Sequence, residues 1–138
     1  MIAPVADIQT FDVRSATREE MIDISAQVRA AIKRSGVTDG VCCVYCPHTT
    51  AGVTIQENSD PDVKADMVGH LSRMIPKNAP FRHGEGNSDA HIKSSVIGAT
   101  TTLIVDDGRP VLGTWQAVFF CEFDGPRERQ IRVKVVSG

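Results

Sequence analysis

Apolar residues recur along this chain with two different periods, and the alternation between them sketches a fold. Val5, Ile8, Phe11 and Val13 predict a first strand over residues 5–13. Met21, Ile24, Val28, Ala31 and Ile32 then recur at helical spacing, which gives a helix one buried stripe. Thr17 and Glu20 stand three apart in the pattern of a capping box, so the helix is expected to open there. Gly36 is placed to end it in a left-handed conformation. Residues 41–46 and 50–56 predict two strands joined through Pro47, His48 and Thr49. A second helix is expected from Asp60-Pro61, a cap residue followed by proline at the first helical position. Val63, Met67, Leu71 and Met74 form its expected buried stripe, with His70 partly covered at the flank and Pro76 as the stop.

Residues 76–90 show neither period and are dense in Pro, Gly and Asn, which marks a site loop; a short helix capped by Ser88 or Asp89 follows through Ser95. Beyond it, 100–105 predicts a strand, with a turn at Asp107-Gly108. In 114–123, Trp115, Ala117, Phe119, Cys121 and Phe123 share one face. Gln116, Val118, Phe120 and Glu122 share the other, a mixed surface suited to an interface or a pocket wall. Ile131, Val133 and Val135 alternate with Gln130, Arg132 and Lys134 over 129–136, one face for the core and one for water. The order of elements implies an α+β fold: a single domain over 1–138, a sandwich of mostly antiparallel sheet with two main helices.

Composition narrows the function classes. The net charge of −2, scattered basic residues and 5% aromatics argue against nucleic acid or an anionic membrane as partner. No stretch approaches the roughly 20 apolar residues that span a bilayer, and the first residues lack a signal-peptide pattern, so a cytoplasmic address is expected. Cys43 and Cys46 form a CxxC beside Cys42. On a strand, residues three apart face opposite ways, so these thiols, like Cys121, are expected to be reduced packing residues.

The candidate chemistry gathers in the irregular parts. His48, His83 and His91 are three of the four histidines, and imidazoles that converge can hold zinc or a similar ion; without convergence they are solvated or capping residues. Asp60 and Asp62 answer a helix N-terminus, whereas Glu85 and Asp89 sit where no period explains them. Gly84 and Gly86 flank Glu85 and allow the backbone to approach a ligand. The GEGNSD stretch lacks the βαβ context of a dinucleotide fingerprint. Amides at the start of the following helix, with Lys93 as counter-charge, suit a phosphate, and Arg127 projects from its turn toward an anion.

The strings PHTTAGVTIQEN (47–58), Asp62 with Asp66, HGEGNSDAHIK (83–93) and LGTWQAVFFCEFDGPRERQ (112–130) resemble the YjbQ-like family, UPF0047, over nearly the whole chain. The resemblance implies a homotrimer with a metal-associated pocket near a subunit boundary. It also implies secondary thiamine phosphate synthase activity, the joining of a pyrimidine methyl diphosphate to a thiazole phosphate. On that reading His48, His83 and His91 are the metal ligands, for zinc or magnesium, and Glu85 and Asp89 are catalytic. Asn58, Asn87, Lys93, Trp115 and Arg127 bind the small phosphorylated substrate, with Trp115 or Tyr45 against a ring. The alternative is a trimeric protein that binds a small ligand or metal without catalysis.

Overall fold

The computed structural model describes residues 7–138, so Val5 and the start of the expected first strand lie outside the described residues. Two antiparallel sheets face each other. The larger contains β1 (Gln9–Arg14), β3 (Gly40–Tyr45), β5 (Thr100–Asp106), β6 (Arg109–Pro110) and β8 (Glu128–Ser137), in the order β1-β8-β3-β5-β6. The smaller contains β2 (Glu20–Asp23), β4 (Ala51–Glu57) and β7 (Gln116–Glu122), in the order β2-β7-β4. Helix α1 (Ser25–Ser35) fills the space between the sheets, and α2 (Pro61–Met74) and α3 (Ser88–Ile97) lie outside the smaller one. The sandwich is thus α+β, and its three helices among the described residues are the two main ones and the short one expected after the loop.

The main core joins Val44, Ile131, Val133 and Val135 of the larger sheet to Val28, Ala31 and Ile32 of α1 and to Val53, Val118 and Phe120 of the smaller sheet. Alternation in β8 runs as the sequence predicts, every second residue buried. A second cluster, Ala117, Phe119, Cys121 and Phe123, covers the outer face of β7 and packs against Met21, Leu71 and Ala90. Gly36 ends α1 at φ 73°, a conformation that costs glycine little.

Four expectations change. Of the Thr17–Glu20 capping box only one half forms, the carboxylate reaching back to the Thr17 amide, and it stands before a strand. Glu20 Oε2 accepts from Ala16 N (2.6 Å), Thr17 N (2.8 Å) and Thr17 Oγ (3.1 Å), rounding a turn into β2. The helix opens later, where Asp23 Oδ1 accepts from Ser25 N at 2.8 Å. Trp115 precedes β7 instead of joining it, and at 63% exposure it is not a core residue. The mixed face of Val118, Phe120 and Glu122 is buried within the chain's own core, which removes it as an interface. Along α2 the apolar stripe points at the sheet, yet no residue of the helix is fully buried and Met74 and His70 are exposed.

Cys42 and Cys46 are buried and Cys43 is only half-buried, as strand alternation requires; all four thiols are free. Burial pushes Cys42 and Cys121 up to about 12, so both are protonated and inert at neutral pH. No helix among the described residues is long and apolar enough to cross a membrane.

Candidate functional site

The chain changes sheets between β3 and β4, and Pro47–Thr50 therefore lies at one end of the sandwich. The end of β7 and the start of β8 reach the same end, joined by the turn 124–127. The loop before α3 closes the third side. These segments enclose a cleft of about 320 Å³ lined by Pro47, His48, Thr49, Thr50, Glu85, Asn87, His91, Asp124, Arg127 and Arg129. Five candidates separated by up to eighty residues in sequence thus meet: His48, Glu85, Asn87, His91 and Arg127.

The floor is a buried ion pair. Arg129 Nε donates to Glu122 Oε1 at 2.8 Å, and its Nη2 donates to Thr50 Oγ at 2.8 Å. Ser15 Oγ donates to the same carboxylate at 2.7 Å, and Asp124 N donates to it at 3.0 Å. Burial pushes the Glu122 carboxyl up, but Arg129, Ser15 and the Asp124 amide outweigh it and hold the group below the usual carboxylate range. One wall is built on Asp124, whose Oδ2 accepts from Asn87 Nδ2 at 2.9 Å and from Arg127 Nη2 at 3.0 Å. Arg127 does project outward, but Asp124 already neutralises it, so an anion has to compete for that guanidinium.

His48 is half-buried, with its ring edge-on to Phe120. Burial, reinforced by the charge of Arg129, lowers its pKa and keeps the imidazole neutral. Its Nε2 lies 2.9 Å from Gln130 N and 3.1 Å from Gln130 O, so the backbone holds either tautomer. When Nε2 donates to the carbonyl, Nδ1 is free to act as a base or ligand. The His83 and His91 rings lie edge to face with centroids 5.5 Å apart. His83 Nδ1 contacts Ser88 Oγ at 3.1 Å, and its Nε2 lies 3.7 Å from Glu85 Oε2. Imidazoles beside one carboxylate suit zinc better than magnesium. Among the described residues, no three His, Cys, Asp or Glu side chains stand close enough together to grip an ion.

Several candidates fall elsewhere. Lys93 is 1% exposed, and its ammonium is saturated by Asp89 (2.8 Å) and Glu19, so it is not a counter-charge for a bound phosphate. Asp89 is 0% exposed within the first turn of α3, gripped by Arg18 and Lys93, and so cannot meet a substrate as a catalytic carboxylate. Asn58 and Trp115 line a separate cleft of about 350 Å³ with Asp23 and Arg29. That cleft is at the opposite end of the seven-residue strands β4 and β7, roughly 20 Å away. Gly86 needs its glycine because φ is 78°, but a methyl group at Gly84 or Gly86 would meet nothing within 4 Å, so neither marks a close backbone approach. The sequence reading missed Arg18, Glu19, Asp124 and Arg129. Only Glu122 carried a signal, as a carboxylate on an apolar strand face.

Residues 9–138 match the family model described as UPF0047 protein YjbQ-like. The chain is 54% identical over 127 residues to the UPF0047 protein of Methanocaldococcus jannaschii, covering 92% of each. It is 48% identical over 131 residues to YugU of Bacillus subtilis, covering 94% of this chain and 99% of that protein. Among solved structures, a YjbQ/UPF0047 protein of Clostridium acetobutylicum superposes with a TM-score of 0.92 at 45% identity, over 93% of this chain and 99% of that one.

Proposed function

The chain belongs to the YjbQ-like UPF0047 family, and on that premise we propose that it is a metal-dependent enzyme acting on a small phosphorylated substrate in the histidine cleft. The observation that carries this reading is the meeting of His48, Glu85, Asn87, His91 and Arg127, from three separate segments, around a space of small-molecule size. To hold a divalent ion, His48, His83 and His91 would have to draw closer together than they stand here; the ion would supply charge neutralisation on a diphosphate. Arg127 binds phosphate by exchanging Asp124 for it. Glu85, on the rim and beside His83, is the carboxylate placed to move a proton. The finer reading is thiamine phosphate formation, in which Arg127 and the polar lining of the cleft would meet the charge of the leaving diphosphate.

Assembly as a homotrimer belongs to the same proposal, through a different surface from β7. Ile104, Val41 and Val136 lie side by side across β5, β3 and β8 on the outer face of the larger sheet, all exposed. Asn58 and Trp115 take part in the histidine site only if a second copy brings them there. The deciding test is condensation of the pyrimidine diphosphate with the thiazole phosphate, alongside zinc and magnesium titration, in the wild type, His48→Ala and His91→Ala. Turnover lost in folded variants supports an enzyme. Zinc binding with no turnover on any phosphorylated substrate leaves a binding protein instead. Sedimentation of Val41→Lys tests the assembly: trimer in the wild type and monomer in the variant is the expected result.

A further inference from the structure

Arg18 touches both walls of the histidine cleft. Its backbone carbonyl accepts from Gly125 N at 2.9 Å, pinning the turn that carries Asp124 and Arg127. That seat is tight, since a methyl group on Gly125 would stand 2.3 Å from the Thr17 carbonyl oxygen. Its guanidinium grips the first turn of α3 on the other side, Nη2 to Asp89 Oδ1 at 3.0 Å and Nη1 to Asp89 Oδ2 at 3.1 Å. Asp89 Oδ2 also accepts from Lys93 Nζ, one helical turn on, and Lys93 bonds Glu19. Glu19 in turn accepts from Ser72 Oγ on α2. Two cations and two carboxylates thus balance, and the helix face they fill is the buried one, Asp89, Ala90, Lys93 and Ser94. The apolar surface that seats α3 is limited to Ala90 near its start and Ile97 at its far end, so the first turn, which carries the cleft residues, has little of it. Ala90 is small and Ser94 is itself held by a hydrogen bond to Ala51 O at 2.6 Å. A helix located by polar contacts takes its rotation from their geometry, and a bidentate arginine fork is the most directional contact here. His91 stands two residues beyond Asp89, about 200° around the helix, so the grip on Asp89 aims His91 into the cleft.

We propose that Arg18 is a positioning residue of the histidine cleft, clamping α3 to the 124–127 turn and thereby setting where Asn87 and His91 face Arg127 and His48. The proposal rests on the reading of that cleft as the ligand site. It assigns Asp89, in place of catalysis, the part of the clamp's acceptor. The test uses the full chain as wild type, Arg18→Ala and Arg18→Lys, with two readouts. One is the NMR signal of the Asn87 side-chain amide, whose bond to Asp124 spans the two walls and needs no ligand. The other is affinity for zinc alone as probe. In Arg18→Ala the amide signal is expected to move to the position of a free side chain and zinc affinity to fall about 10–100-fold. Millimolar guanidinium ion should restore both, and Arg18→Lys, which keeps the charge without the fork, should fall between. An unchanged amide signal and zinc affinity in Arg18→Ala would overturn the clamp, as would loss that guanidinium does not repair. Should the wild type take no zinc, the metal reading fails while the amide signal still judges the clamp. Should Arg18→Ala not fold, an Arg18→Lys variant indistinguishable from wild type in the amide signal overturns it.

Discussion

Helices α2 and α3 cover the same small sheet in opposite ways. α2 carries the apolar stripe that a surface helix should have, opens on a proper cap and a proline, and fully buries none of its residues. α3 has almost no stripe, has no side-chain cap, and buries Asp89 and Lys93 almost completely. Patterning therefore located the helix that matters less to the cleft. The helix that carries His91 is held by charges whose partners lie more than seventy residues away. An amphipathic stripe needs only water on one side and a sheet on the other. A buried ion pair is costly unless every partner is in place, and such a cost is more readily explained where position has to be accurate.

The sharpest way to break the contrast is Lys93→Met, which leaves Asp89 and Glu19 short of a cation in a dry place. Removing one partner of a buried pair is expected to cost about 3–5 kcal/mol, read as a lower urea midpoint. A loss under about 1 kcal/mol would mean that α3 is not held by charge. The other buried pair sharpens the same point through pH. The folded-state pKa of Glu122 lies below its unfolded value, so on acidification the unfolded chain takes up the proton first. Its contribution is complete above about pH 4.3 and is lost as pH falls through the folded value. Stability measured against pH should be flatter below that point in Glu122→Gln than in the wild type. On the α2 side, Leu71→Ala trims a half-buried contact with the Phe119 cluster and should cost only about 1 kcal/mol. Smallest is the comparison of caps. Asp60 Oδ1 accepts from Asp62 N at 2.9 Å, so Asp60→Ala should lose about 1 kcal/mol. Asn87 makes no such cap but donates to Asp124 across the cleft at 2.9 Å, so Asn87→Ala should also lose about 1 kcal/mol, and it should weaken binding in the cleft as Asp60→Ala does not.

The legible parts of the fold were those set by local rules. The alternation of Ile131, Val133 and Val135, the left-handed stop at Gly36 and the Asp60-Pro61 start each depend on a few neighbouring residues. Thr17 and Glu20 show where that ends. The same pair of side chains rounds a turn into a strand, because β7 offers Met21 and Ile22 a ladder that outweighs local helix signals. In the site, histidines and Glu85 stood out because no period explained them. Arg18 and Asp124 did not, because arginine and aspartate near turns are ordinary until a distant partner gives them a task. Lys93 misled for a related reason. A lysine beside a polar loop reads as a counter-charge open to a ligand, and only the fold reveals that it points inward.

Strand β8, the last of the strands in the chain, pairs with both β1 and β3 and lies between them. During synthesis the larger sheet is therefore two fragments until residues 128–137 emerge, with a gap where a strand must later insert. Before that, β1 and β3 each present an edge of unpaired amides and carbonyls, the kind of template that invites a second nascent chain. Closing the gap joins residues from opposite ends of the sequence, so folding should be slow for the chain's size and completed in one late step. Arg129 and Gln130 enter with that strand. The cleft thus has no floor, and His48 no anchor, until the sheet is closed, which protects a half-made chain from acquiring a half-made site.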